Sequence, residues 1–123
     1  MPGSQIVIFG ASGDLAARKL IPAIVGNLHD GTLQGTVQVV GVARSPKEPE
    51  AWRVELEAWL PKEHLVAWGR VREQVHYHAA SILDAADLVR LRETLDILAA
   101  EVGESPSTVG RLFYLALKPT LFG

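Results

Sequence analysis

Ile6-Val-Ile-Phe-Gly10-Ala-Ser-Gly13-Asp-Leu-Ala16 is the stretch that sets the fold. An unbroken apolar run meets two glycines and continues into a segment with helical spacing. A strand without polar alternation is buried on both faces, as central parallel strands are. Gly10 lets the backbone turn sharply off that strand, and Gly13 lets main-chain N–H groups approach an anion with no side chain in between. Ala16, where the widest form of the pattern has a third glycine, is small enough for close helix–strand packing. Together with the free N–H groups and dipole of the helix that follows, the corner reads as a pyrophosphate site. The plain alternative is an ordinary strand-to-helix turn, but the position after a buried-type strand favours the anion site.

Outward from this corner the chain alternates strands and helices. Gln5 to Phe9 is the first strand, and Asp14 to Leu28 the first helix, with Leu15, Ile21, Ala23, Ile24 and Leu28 apolar and Pro22 predicting a kink. Asp30-Gly31 is a turn, and Thr36 to Val42 a second strand rich in β-branched residues. After the loop Ser45-Pro-Lys-Glu-Pro-Glu50 comes a helix on which Trp52, Leu56, Trp59 and Leu60 share a face, then a short helical stretch from Lys62 to Trp68. Gln74 to His78 is a third strand. Asp84 to Val102 is an amphipathic helix with Leu88, Leu91, Leu95 and Leu98 three and four apart, stopped by Gly103. Arg111 to Leu117 is a fourth strand, apolar on both faces. The pattern predicts one α/β domain over residues 1–123: a Rossmann-like open parallel sheet of about four strands, with right-handed crossovers and helices on both faces.

Composition narrows the function classes. A chain of 123 residues buries roughly two-thirds of its unfolded surface, and 48% hydrophobic with 21% charged residues describes a folded domain. A net charge of −2 argues against nucleic acid as partner. The absence of cysteine excludes disulfides, thiolate metal sites and cysteine nucleophiles, and fits a reducing compartment. The opening Met-Pro-Gly-Ser-Gln has no basic region and no long apolar run, so no membrane span is expected and the cytoplasm is the default location. His29 and His64 read as surface residues. His76 and His78 have no carboxylate at ligand spacing, so no metal site is expected.

After the second strand, a site for NAD normally places an acidic residue on the ribose 2′-hydroxyl. Here the sequence reads Val42-Ala43-Arg44-Ser45. A guanidinium suits a 2′-phosphate through forked, charge-assisted hydrogen bonds, so NADP is preferred over NAD, and the Ser12 hydroxyl can add a donor.

The same residues carry a family resemblance. Gly10 to Ala16 with Arg18-Lys19-Leu-Ile-Pro22, then Asp30-Gly31, Gly41-Val-Ala-Arg44-Ser45 and Phe113-Tyr-Leu-Ala-Leu117, resemble in order the N-terminal coenzyme domain of the glucose-6-phosphate dehydrogenase family. The resemblance spans essentially the whole chain. It implies NADP as coenzyme, with Gly10, Ala11, Ser12, Gly13, Asp14, Leu15 and Ala16 along the diphosphate, and Arg44, followed by Ser45, at the 2′-phosphate. Ser81 and Ile82 match positions near the adenosine, and Leu117 and Pro119 the stretch near the nicotinamide. Lys19 matches a lysine that reaches toward the sugar phosphate. Lys118 replaces the first of two prolines usual in the family, so that loop is expected to differ.

In the family, a histidine supported by an aspartate removes the C1 hydroxyl proton of glucose 6-phosphate while hydride passes to NADP, giving the lactone that enters the pentose phosphate pathway. That Asp-His pair does not occur in the 123 residues. The chain is therefore expected to be the NADP-binding portion of such an enzyme, truncated or a fragment, and inactive by itself, with glucose 6-phosphate a partner only of the complete enzyme. Arg111 to Leu117 is expected to form an exposed sheet edge open to pairing with another chain, a homo-oligomer included.

Two rival readings remain. Tyr114 and Lys118 have the Tyr-x-x-x-Lys spacing of short-chain NADP-dependent reductases and epimerases, but that motif works on a helix. On a strand the two Cα atoms stand about 13 Å apart at roughly 3.3 Å per residue. The other rival is a non-catalytic nucleotide-binding module.

Overall fold

Four short runs of Val, Ile, Leu and aromatic residues lie side by side in the computed structural model, which describes residues 3–11, 19–31, 36–81, 83–105 and 109–115. Strands β1 (Ser4–Phe9), β2 (Val37–Ala43), β3 (Val75–Ala79) and β4 (Gly110–Leu115) form one sheet in the order β3-β2-β1-β4. All three pairings are parallel, with Phe9 opposite Val42 and Leu115, and Ala43 opposite Ala79. Chain order thus runs outward from β1 through β2 to β3 on one side and jumps to β4 on the other. In open α/β sheets the crevice beyond the carboxyl ends of the strands, where the order reverses, is the ligand site.

Because side chains alternate along a strand, each strand divides its apolar residues between two helical layers. On one face Ile6, Ile8, Val37, Val39 and Val75 pack against α1 (Ile21–Asp30), α2 (Pro49–Glu57) and α3 (Leu65–Val71), which contribute Ile21, Ile24, Val25, Trp52, Leu56, Ala67, Trp68 and Val71. On the other face Val7, Val40 and Val42 meet Ala80 and Leu91, Leu95 and Leu98 of α4 (Ala85–Glu101). The expected α/β class, parallel sheet and two-sided cover are thus present.

Local differences have local causes. Pro22 sits in the first turn of α1, where its missing N–H is not needed, and Lys19 and Leu20 just ahead of it are in π-helical turns. Asp14 to Arg18 of the expected helix lie outside the described residues. Trp59 does not share the buried face of Trp52 and Leu56: α2 ends at Glu57, the helical period stops with it, and Trp59 is 50% exposed. Leu88 is also exposed, so the buried stripe of α4 begins one turn later, at Leu91. His64 is not a surface residue. It is half-buried with its ring 5.0 Å from that of His29, because the short turn Lys62–His64 leads it under α1.

The α4 face also holds polar side chains that the apolar pattern gave no reason to expect. Gln5 and Gln38 are fully buried beneath α4. Gln5 Nε2 donates to Gln38 Oε1 (3.0 Å) and to the Leu95 carbonyl (2.7 Å), and Gln38 Nε2 donates to Gln74 Oε1 and the Leu98 carbonyl (both 2.9 Å). Arg111 donates from Nε to Gln5 Oε1 (2.7 Å) and from Nη2 to Asp96 of α4 (2.6 Å). His76 Nε2 lies 3.3 Å from Gln74 Oε1. The chain of bonds crosses all four strands near their amino ends and leaves neither buried amide unsatisfied, as low-dielectric burial requires.

Candidate functional site

At the carboxyl end of the sheet, three strands deliver residues to one rim. β1 runs into Gly10, whose φ of 80° is the left-handed region that a side chain resists. The N–H groups of Gly10 and Ala11 both donate to the Val42 carbonyl, at 2.8 and 3.1 Å. These two amides are therefore used to fasten the corner to β2. Ala11 is fully buried. Gly41 explains how the corner fits: a Cβ there would fall 2.8 Å from the Ala11 Cβ and 2.4 Å from Cη2 of Trp52, so this backbone approach needs glycine.

β2 delivers Arg44. It is exposed, two residues beyond the carbonyl that holds the glycine corner, and no ion pair ties it to another described residue. Exposed Ser45 follows, its carbonyl accepting the Tyr77 hydroxyl at 2.6 Å. A shallow open groove continues beside it, lined by Pro46, Lys47, Glu48, Tyr77 and Ala79. Lys47 is paired with Glu55 at 2.7 Å.

β3 delivers Ser81. Its backbone N–H donates to Asp87 Oδ2 (2.8 Å), and its hydroxyl accepts the Leu83 N–H (3.2 Å). Asp84 caps α4 by accepting from the N–H groups of Ala86 and Asp87. The Ser81 N–H, and then Arg90, hold the Asp87 carboxyl below the usual aspartate range. Ser81 is thus fixed by the first turn of α4.

Of the residues expected at the coenzyme, Gly10, Ala11, Arg44, Ser45 and Ser81 stand at this one end. Ser12, Gly13, Asp14, Leu15, Ala16, Ile82, Leu117 and Pro119 lie outside the described residues. Lys19 is exposed just ahead of α1. Tyr114 lies on β4, opposite Ile8, and not on a helix, which removes the geometry that the Tyr-x-x-x-Lys reading needs; Lys118 lies outside the described residues. Tyr77 was not singled out by the sequence. Its signal was a lone aromatic hydroxyl on a strand that ends beside a Gly-x-Ala-Arg-Ser segment.

A parallel sheet of this order, with a glycine corner at the reversal point, defines the Rossmann-like class of dinucleotide-binding domains. The model for "Glucose-6-phosphate dehydrogenase, NAD binding domain" matches residues 7–123, and the chain belongs to that family, whose cofactor class is a nicotinamide dinucleotide. It is 34% identical over 127 residues to glucose-6-phosphate 1-dehydrogenase of Chlamydia muridarum, covering 98% of this chain and 24% of that protein. The enzyme of Aggregatibacter actinomycetemcomitans is 37% identical over 123 residues, covering 96% and 24%. A solved glucose-6-phosphate dehydrogenase in complex with its substrate glucose-6-phosphate superposes with a TM-score of 0.84 at 32% identity, covering 97% of this chain and 25% of that one. The chain therefore spans about a quarter of the length of the relatives it matches. Among the described residues no helix is long and apolar enough to cross a membrane.

Proposed function

We propose that this chain binds NADP at the carboxyl end of its sheet and forms the coenzyme-holding part of glucose 6-phosphate oxidation to 6-phosphogluconolactone, a cytoplasmic reaction of the pentose phosphate pathway. The observation that carries the reading is Arg44: an exposed cation with no ion pair among the described residues, two residues from the carbonyl that secures the glycine corner. On this reading the backbone of Gly10 to Ala16 lies along the diphosphate, and Arg44, aided by Ser12 and Ser45, takes the 2′-phosphate. Ser81 and Ile82 flank the adenosine, and Leu117 and Pro119 approach the nicotinamide. NADP, when bound, supplies the hydride acceptor. The chain's own share is to bind it, orient it and select it over NAD, while Lys19 offers a point charge to the sugar phosphate.

Isothermal titration tests this directly. NADP should bind more tightly than NAD, and Arg44→Ala should lower NADP affinity by about ten- to a hundredfold with little change for NAD, as loss of a charge-assisted hydrogen bond to phosphate does. Equal affinity for the two coenzymes, or an unchanged ratio in Arg44→Ala, overturns it. The 123-residue polypeptide assayed by itself with glucose 6-phosphate and NADP should show no turnover. The outer edge of β4, where Leu112, Phe113 and Tyr114 are 51%, 56% and 41% exposed, is read as a surface for pairing with a second copy. A strictly monomeric species by light scattering would count against that.

A further inference from the structure

Arg44 is useful to a ligand only if its backbone is fixed, and the structure fixes it from both sides. Ahead of it, the Ala43 carbonyl accepts the Ala80 N–H at 2.9 Å, and Ala43 pairs in register with Ala79. Behind it, the Ser45 carbonyl accepts the Tyr77 hydroxyl at 2.6 Å, and Pro46 limits Ser45 to extended conformations. Arg44 and Ser45 alone lie between the two tethered peptide groups. The first tether is part of the sheet. The second depends on a single side chain.

Tyr77 is in turn held in place. Its ring meets the edge of the buried Trp52 indole, with centroids 5.4 Å apart and planes at 68°. Trp52 lies over β2 because Gly41 has no side chain, and the indole shares the space above Gly41 with the Cβ of Ala11. One indole thus braces the glycine corner and, through Tyr77, the turn that presents Arg44.

We propose that Tyr77 is a positioning residue for coenzyme selectivity: by tying down the Ser45 carbonyl it presents Arg44 to the ribose phosphate, and so sets the preference for NADP over NAD. This rests on the reading of Arg44 given above, and the experiment separates the two. Coenzyme affinities of the 123-residue chain are measured by titration calorimetry for the unsubstituted protein, Tyr77→Phe, Arg44→Ala and the double variant. Tyr77→Phe keeps the ring against Trp52 and removes only the hydroxyl. NADP affinity should fall about three- to tenfold, the range of one net hydrogen bond, while NAD affinity stays constant. In the Arg44→Ala background the same substitution should change nothing further.

An NADP to NAD ratio unaltered by Tyr77→Phe overturns the proposal. So does a parallel fall for both coenzymes, which is the signature of a merely structural role. If Arg44→Ala collapses the ratio and Tyr77→Phe does not, this inference alone fails. If the unsubstituted chain does not prefer NADP, or Arg44→Ala leaves the ratio intact, the underlying reading fails and takes this one with it.

Discussion

At the amino ends of the strands, side chains cross the sheet: Arg111 to Gln5, Gln5 to Gln38, Gln38 to Gln74, with two carbonyls of α4 drawn in. At the carboxyl ends the ties that join β1, β2 and β3 terminate on main-chain carbonyls instead, those of Val42, Ala43 and Ser45. The first arrangement uses up every donor and acceptor of its buried amides and leaves nothing to offer a ligand. The second secures the backbone and leaves the Arg44 side chain with no ion pair among the described residues. One end of the sheet fixes the register of strands and helix; the other spends little side-chain chemistry on the fold and holds it for binding.

The contrast predicts that the two ends respond differently to substitution. Gln5→Leu should show the largest loss of stability, about 3 kcal/mol, because it strands the buried Gln38 Oε1 and removes an acceptor from Arg111. Coenzyme affinity should be unchanged. Urea unfolding and calorimetry on the same variant check both halves. Gly41→Ala should cost somewhat less, about 2 kcal/mol of overpacking against Trp52 and Ala11, yet it should also weaken coenzyme binding, since both halves of the corner lean on that indole. If Gln5→Leu weakens the coenzyme as much as Gly41→Ala does, the two ends are not independent.

The carboxyl end was more legible in the sequence than the amino end, for a physical reason. A glycine corner is local: Ile6 to Ala16 contains both the strand and the turn, and Arg44 follows its strand directly. The apolar runs of β1, β2 and β4 and the Asp84 cap of α4 are equally short-range signals. The amide ladder joins residues 33, 90 and 106 positions apart, and a glutamine inside an apolar strand gives no periodic sign of what it will meet. The bond from Tyr77 to Ser45 spans 32 positions and was missed in the same way. Trp59 shows the converse failure, in which a helical period continued on paper past the turn that ends the helix.

A smaller effect probes the carboxyl rim from α4. Asp84→Ala removes the acceptor for the N–H groups of Ala86 and Asp87, and should cost about 1 kcal/mol, as lost helix caps do. Because the same turn holds the Ser81 N–H through Asp87, hydrogen exchange at Ser81 should quicken in this variant while that of Gln5 and Gln38 does not. Equal changes at both ends would mean that α4 transmits the disturbance along its length.

The amino end should also reveal itself through pH. Burial, and then the nearby Arg53 charge, press the His76 ring below its ordinary pKa of 6.5, with Glu101 opposing them in part. The folded state therefore favours the neutral ring, and the unfolded chain binds the proton more readily. Stability from this group is complete above about pH 6.5 and is lost as pH falls below it and through the lower folded value. Glu50 and Asp87 are held below their ordinary 4.5 and 3.8, so their contributions disappear only at more acidic pH. Urea midpoints taken from about pH 7.5 to 5.5 keep these two carboxylates out of the comparison. They should decline for the unsubstituted chain and stay flatter for His76→Gln, whose side chain is neutral throughout. Parallel profiles would show that protonation at this edge of the ladder is tolerated, and that the amino end is less closed than its hydrogen bonds suggest.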